Sequence, residues 1–171
     1  MTEERVTLVL GGARSGKSRH AQALAEAQGG ALVFVATAEA LDDEMRARVA
    51  QHRADRDSHW RTVEAPHALA ETIVAEGQPG SVLLVDCLTL WASNLLLGEE
   101  DAALALDALD AALLDTAARV VLVANEVGLG IVPDNALARR FRDLAGTINQ
   151  RIAARADRVV FIAAGLPLVL K

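Results

Sequence analysis

Five short, mostly apolar runs punctuate the chain, at 6–10, 32–36, 82–86, 120–125 and 159–163, each rich in Val, Leu, Ile or Ala rather than alternating with polar residues. Runs of this length mark strands covered on both faces, as in a parallel sheet. Between them the apolar spacing becomes helical. It predicts helices over 17–28, 41–54, 101–118 and 135–156. A shorter helix is expected to open with Pro66 in its first turn and to stop near residue 76, ahead of Gly77, Pro79 and Gly80. Strand alternating with helix gives a mostly parallel sheet with helices on both faces. The apolar residues just before Lys171 add a candidate edge strand after a turn at 165–167.

The first run leads directly into Gly11, Gly12, Ala13, Arg14, Ser15, Gly16, Lys17 and Ser18, a complete G-x-x-x-x-G-K-S phosphate loop set between strand and helix. Its glycines let the backbone turn N–H groups inward on a polyphosphate at the N-terminus of the following helix. Lys17 supplies positive charge for the outer phosphates, and Ser18 is placed to ligate the Mg2+ that bridges them. The expected fold is therefore α/β, P-loop NTPase-like, with a mostly parallel sheet of RecA-like type. At 171 residues the chain is long enough for one core and short for two, so a single domain over 1–171 is expected.

Composition narrows the partners. A net charge of −6 gives no global field for nucleic acid or an anionic bilayer, so any bound anion is held locally. No run approaches the roughly 18 apolar residues that span a membrane. The acidic start at 2–5 is unlike a signal peptide, and the single cysteine, Cys87, suits a reduced cytoplasmic setting. His20, His52, His59 and His67 show no zinc-type spacing with Cys87.

In parallel sheets ligands gather at the C-terminal strand ends. The run at 82–86 ends in Asp86, the form of a strand whose carboxylate reaches Mg2+ directly or through water; capping the next helix is the other role open to it. The run at 32–36 exits through Ala36, Thr37 and Ala38 into the helix expected at 41–54. There Leu41, Met45, Val49 and His52 share one stripe. Periodicity fits an inert, hydrogen-bonded histidine; it also fits a neutral imidazole that attacks an α-phosphorus beside charge-neutralising arginines. The run at 120–125 exits through Asn125, Glu126 and a loop shaped by Gly128, Gly130 and Pro133, with Asp134 or Asn135 available to cap the long helix.

Together these stretches resemble the bifunctional adenosylcobinamide kinase / adenosylcobinamide-phosphate guanylyltransferase family. The resemblance is carried by the loop from Gly11 to His20, Ala36-Thr37, Asp42 to Met45, His52 to Arg56, His59 to Thr62, Asn125 to Pro133, Leu137 to Asp143 and Gly146 to Arg151, nearly the whole chain. It implies two reactions: phosphorylation of adenosylcobinamide by ATP or GTP, and transfer of GMP from GTP, through a guanylyl-histidine, to adenosylcobinamide phosphate, giving adenosylcobinamide-GDP. By resemblance, the guanylylated residue falls on His52; some relatives carry two adjacent histidines there, and this chain has Gln51 before it. Nucleotide contacts fall on Gly11 to Ser18, Ala36, Thr37, Ala38, Arg53, Ala54, Asp55, Arg56, Glu64 and Asp86, with Mg2+ at Ser18 and Asp86. A homo-oligomer, a trimer, is implied as well, with the Leu/Ala-rich helices as candidate interfaces. Guanine preference rests on the resemblance, because the chain has no Asn-Lys-x-Asp motif.

Two other readings share the same phosphate loop. A simple small-molecule kinase would leave His52 inert and would take no covalent label from GTP. A non-enzymatic nucleotide switch would move the loop at 125–133 for a partner.

Overall fold

In the computed structural model, which describes residues 4–39 and 59–171, the five apolar runs all become strands. In chain order the elements are β1 (Val6–Gly11), α1 (Lys17–Gln28), β2 (Ala31–Ala36), β3 (Trp60–Glu64), α2 (Leu69–Glu76), β4 (Ser81–Asp86), α3 (Leu88–Leu97), α4 (Ala102–Asp115), β5 (Arg119–Asn125), α5 (Ala136–Arg155), β6 (Arg158–Ala163) and β7 (Leu166–Val169). The helix expected at 41–54 lies outside the described residues.

The strands form one sheet in the order β3-β2-β4-β5-β1-β6-β7, parallel except for β7, which pairs antiparallel with β6. Because successive strand residues point to opposite faces, each run feeds two cores. Leu8, Leu10, Val33, Val35, Leu83, Val85, Val120 and Leu122 face a core shared with α2, α3, α4 and α5. Val9, Phe34, Leu84, Val121, Val123 and Val160 face the other side, where Ala21 and Ala25 bring α1 close.

Two elements carry no strong linear signal. β3 reads Trp-Arg-Thr-Val-Glu, an edge strand whose residues are only half-buried or exposed, so no apolar run announces it. α3 reads Leu-Thr-Leu-Trp-Ala-Ser-Asn-Leu-Leu-Leu, mostly buried and apolar on nearly every side, and it follows β4 without a breaker. Pro66 lies ahead of α2 rather than in its first turn: its carbonyl accepts Asn94 Nδ2 at 2.8 Å, and the helix begins only at Leu69.

Candidate nucleotide site

The cradle begins where β1 ends. Gly11 is buried, and a Cβ there would stand 2.5 Å from Ser15 Oγ and 2.8 Å from the Ile162 carbonyl oxygen, so only glycine lets the loop close. Gly16 takes φ +92°, the left-handed turn that starts α1. The Gly165 N–H donates to the Ser15 carbonyl at 2.8 Å, so the β6–β7 turn braces the loop from outside.

Inside this cradle lie two buried polar side chains. The Lys17 side chain is nearly buried, and its ammonium donates to the Gly12 carbonyl at 3.1 Å. Ser15 Oγ is buried with no hydrogen-bond partner among the described residues, a costly state for a hydroxyl unless a ligand engages it. Ala13 and Arg14 are exposed at the mouth, and Ser18 opens the first turn of α1 half-buried.

β5 separates β1 from β4, which puts Asp86 two interstrand spacings, roughly 10 Å, across the sheet from the cradle strand. Among the described residues no hydrogen bond or ion pair engages its carboxylate. The helix-capping alternative goes instead to Cys87, whose Sγ accepts the Leu90 N–H at 3.5 Å. Burial, with Asp86 beside it, pushes the Cys87 thiol up to about 11, while the Lys17 charge opposes that shift. Asp86, Cys87 and Lys17 therefore share one electrostatic neighbourhood, and the thiol stays protonated.

Thr37 is fully buried, and its hydroxyl donates to the Cys87 carbonyl at 2.7 Å while accepting the Cys87 N–H at 2.8 Å. Asn94 Nδ2 donates to the Thr37 carbonyl at 2.8 Å. The exit of β2 is thus tied to the end of β4 and to α3. Ala36 accepts the Ala65 N–H through its carbonyl at 2.8 Å, Ala38 is half-buried beyond it, and Glu64 ends β3 opposite Ala36. His52, Arg53, Ala54, Asp55 and Arg56 lie outside the described residues.

One feature at this edge was not singled out from the sequence. His67 sits between two carboxylates, with Nε2 2.7 Å from Glu39 Oε1 and Nδ1 hydrogen-bonded to Glu100. Three separate segments meet there, which no linear spacing signals. The β5–α5 loop, expected from the sequence at this strand exit, is rooted at the cradle: Asn125 stands in register with Gly11, and the Glu126 N–H donates to the Gly11 carbonyl at 3.0 Å. Glu126 Oε1 in turn accepts the Gly128 N–H at 2.7 Å, and Asn135 caps α5 by accepting the Ala138 N–H at 2.8 Å.

A glycine cradle with a buried lysine, one intervening strand and, at the next strand end, an aspartate unengaged among the described residues define a P-loop nucleotide-binding protein of RecA-like architecture. The flagellar accessory protein FlaH from Methanocaldococcus jannaschii shares that fold at a TM-score of 0.56 and 13% identity, covering 98% of this chain and 78% of that one. The chain belongs to the CobU family, cobinamide kinase / cobinamide phosphate guanyltransferase, whose pattern matches residues 7–170. It is 52% identical to the bifunctional adenosylcobalamin biosynthesis protein CobP of Pseudomonas aeruginosa, over 96% of each chain. It is 46% identical to the CobU protein of that description from Salmonella typhimurium, over 96% of this chain and 98% of the other.

Proposed function

We propose that this chain performs both family reactions at the one cradle, on adenosylcobinamide and its phosphate, with GTP or ATP as phosphate donor and GTP as guanylyl donor. The observation that carries this reading is the unsatisfied interior of the loop: a buried Ser15 hydroxyl without a partner among the described residues and a Lys17 ammonium resting on a backbone carbonyl. A triphosphate would take both groups, with the loop amides, Arg14 at the mouth and the Lys17 charge holding its oxygens.

In the kinase step the acceptor hydroxyl oxygen attacks the γ-phosphorus, the bond to the β-phosphate bridging oxygen breaks, and the hydroxyl proton is released. For guanylylation, the neutral His52 imidazole attacks the α-phosphorus of GTP. A P–N bond forms and pyrophosphate leaves. A phosphate oxygen of adenosylcobinamide phosphate then attacks the same phosphorus, GMP is transferred, and the imidazole is freed. Splitting one transfer between two bulky polyanions into two displacements leaves only one acceptor at the phosphorus in each.

Mg2+ fits the donors present, because Ser18 and Asp86 offer hard oxygens and the Asp86 carboxylate is unengaged among the described residues. Such an ion supplies charge neutralisation at the phosphates. Arg53, Ala54, Asp55, Arg56, Ala36, Thr37, Ala38 and Glu64 complete the proposed nucleotide contacts. Thr37 would act through its backbone position, since its hydroxyl is already committed to Cys87.

The deciding experiment is incubation with α-labelled GTP and Mg2+. Acid-labile, base-stable label on the wild type, lost in His52→Ala and on chelation of the metal, is the expected result. Wild-type protein that phosphorylates cobinamide yet takes up no label would reduce the reading to a simple kinase.

No helix among the described residues is long and apolar enough to cross a membrane, and cytoplasmic residence is proposed. A homo-oligomer, a trimer, is proposed too. Leu104 and Leu114 on α4 and Leu166, Leu168 and Val169 on β7 leave apolar surface exposed that assembly would cover.

A further inference from the structure

The nucleotide accounts for the cradle, but the acceptor is a far larger molecule and needs a surface of its own. At the C-terminal edge of the sheet, the β5–α5 loop rises beside the cradle and presents apolar side chains to solvent. Leu129 is 83% exposed, Ile131 98% and Val132 61%. Exposure on this scale is uncommon for large aliphatic residues grouped within four positions.

The loop is nevertheless held at both ends. At its root Glu126 is bonded to Gly11 and Gly128. At its far end Arg139 Nη1 donates to the carbonyls of Pro133 and Asp134 at 2.9 and 2.8 Å. These ties fix the loop where it leaves β5 and where it enters α5.

Leu137, half-exposed in the first turn of α5, joins the loop to a groove of about 680 Å³ between the end of α3, the start of α4 and the start of α5. That volume falls in the range of small-ligand clefts, roughly 300–1,000 Å³. Leu97 and Leu144 give it an apolar wall. Its charged lining is three carboxylates, Glu99, Glu100 and Asp143, against one guanidinium, Arg140. A polyanion is poorly matched to such a lining, in contrast to the cradle.

We propose that this loop and groove form the corrinoid subsite, docking one edge of the acceptor's macrocycle so that its side arm reaches the cradle. The inference rests on the function proposed above. A cobalt corrinoid with an alkyl ligand is an amphipathic macrocycle that carries positive charge at the metal. Its ring methyl groups match the exposed leucine and isoleucine side chains, and its peripheral amides can donate to the carboxylates of the lining. The Glu126–Gly11 bond sets the root of that loop at the end of the cradle strand.

The test measures the kinase step with adenosylcobinamide on the full chain in three forms: wild type, Leu97→Asn, and Leu129→Asn with Ile131→Asn. In each variant KM for adenosylcobinamide should rise about tenfold, while kcat and KM for the nucleotide stay within about twofold of wild type. The unchanged nucleotide KM reports that the cradle is still folded. Unchanged corrinoid KM in both variants overturns the subsite while leaving the proposed function standing. A changed oligomeric state with unchanged corrinoid KM assigns the surface to a second copy of the chain and also overturns it. Wild-type protein that neither binds nor phosphorylates adenosylcobinamide overturns the proposed function, and the subsite with it.

Discussion

Gly11 carries a constraint that a flexible turn would not. An added Cβ meets the Ser15 side chain and the Ile162 carbonyl of the neighbouring strand at once, and the backbone contact cannot move without disturbing β6. Gly11→Ala is therefore expected to destabilise the fold by about 1–3 kcal/mol, as overpacking does, and to abolish nucleotide binding. Nothing stands within 4 Å of a Cβ on Gly12, so Gly12→Ala should leave the melting temperature nearly unchanged. Thermal unfolding of the two variants with and without nucleotide separates these outcomes. Equal loss of stability in both would contradict the packing argument.

At the scale of elements, hydrogen bonds rather than hydrophobic faces align the strand exits. Thr37 and Asn94 tie the ends of β2 and β4 to α3 and to the Pro66 turn, while Trp91 Nε1 donates to the His67 carbonyl at 3.0 Å. His67 closes this set by linking Glu39, just after β2, to Glu100, just before α4. Its pKa is raised, chiefly by the Glu39 hydrogen bond, with burial opposing and Glu100 reinforcing the shift. A folded-state pKa above the unfolded value near 6.5 means that the link stabilises fully below that value. The stabilisation is then lost as pH rises through the folded pKa. The stability difference between wild type and His67→Ala should accordingly be largest in mildly acid solution and vanish at alkaline pH. Denaturant melts across that range measure it, and a difference that grows with pH would contradict the assigned link. The effect will be small, because the side chains involved are at least a third exposed and screened.

For the whole molecule, sheet order governs where chemistry can occur. With β5 between β1 and β4, the cradle, Asn125 and Asp86 lie along one edge, and the loop carrying the exposed apolar residues rises between them. Farther along the same helices, α4 and α5 are braced by a forked pair in which Arg155 Nε and Nη2 donate to Asp110 at 2.7 and 3.2 Å, with Arg151 on Asp107 at 2.6 Å. The proposed trimer, which rests on the family resemblance, would cover the aliphatic residues left outside on α4 and β7, and sedimentation equilibrium is the measurement that checks it. Leu104→Glu with Leu168→Glu should shift the chain towards monomer, and a wild-type monomer at high concentration would contradict the assembly.

The sequence by itself determined the phosphate loop, the five apolar strands, α1 and the positions of the two long helices. Each rests on neighbours in the chain: contiguous burial, helical period, or eight residues that fold as a unit. Family membership was legible too, through residues spread along nearly all of the chain. Only the tertiary structure decided that Trp60 to Glu64 form an edge strand, because its pairing with β2 and not its own pattern holds it there. Likewise the Thr37–Cys87 tie, the Glu39–His67–Glu100 bridge and the groove beside Leu137 depend on segments far apart in sequence. Their partners are chosen by packing, and no local spacing records that choice.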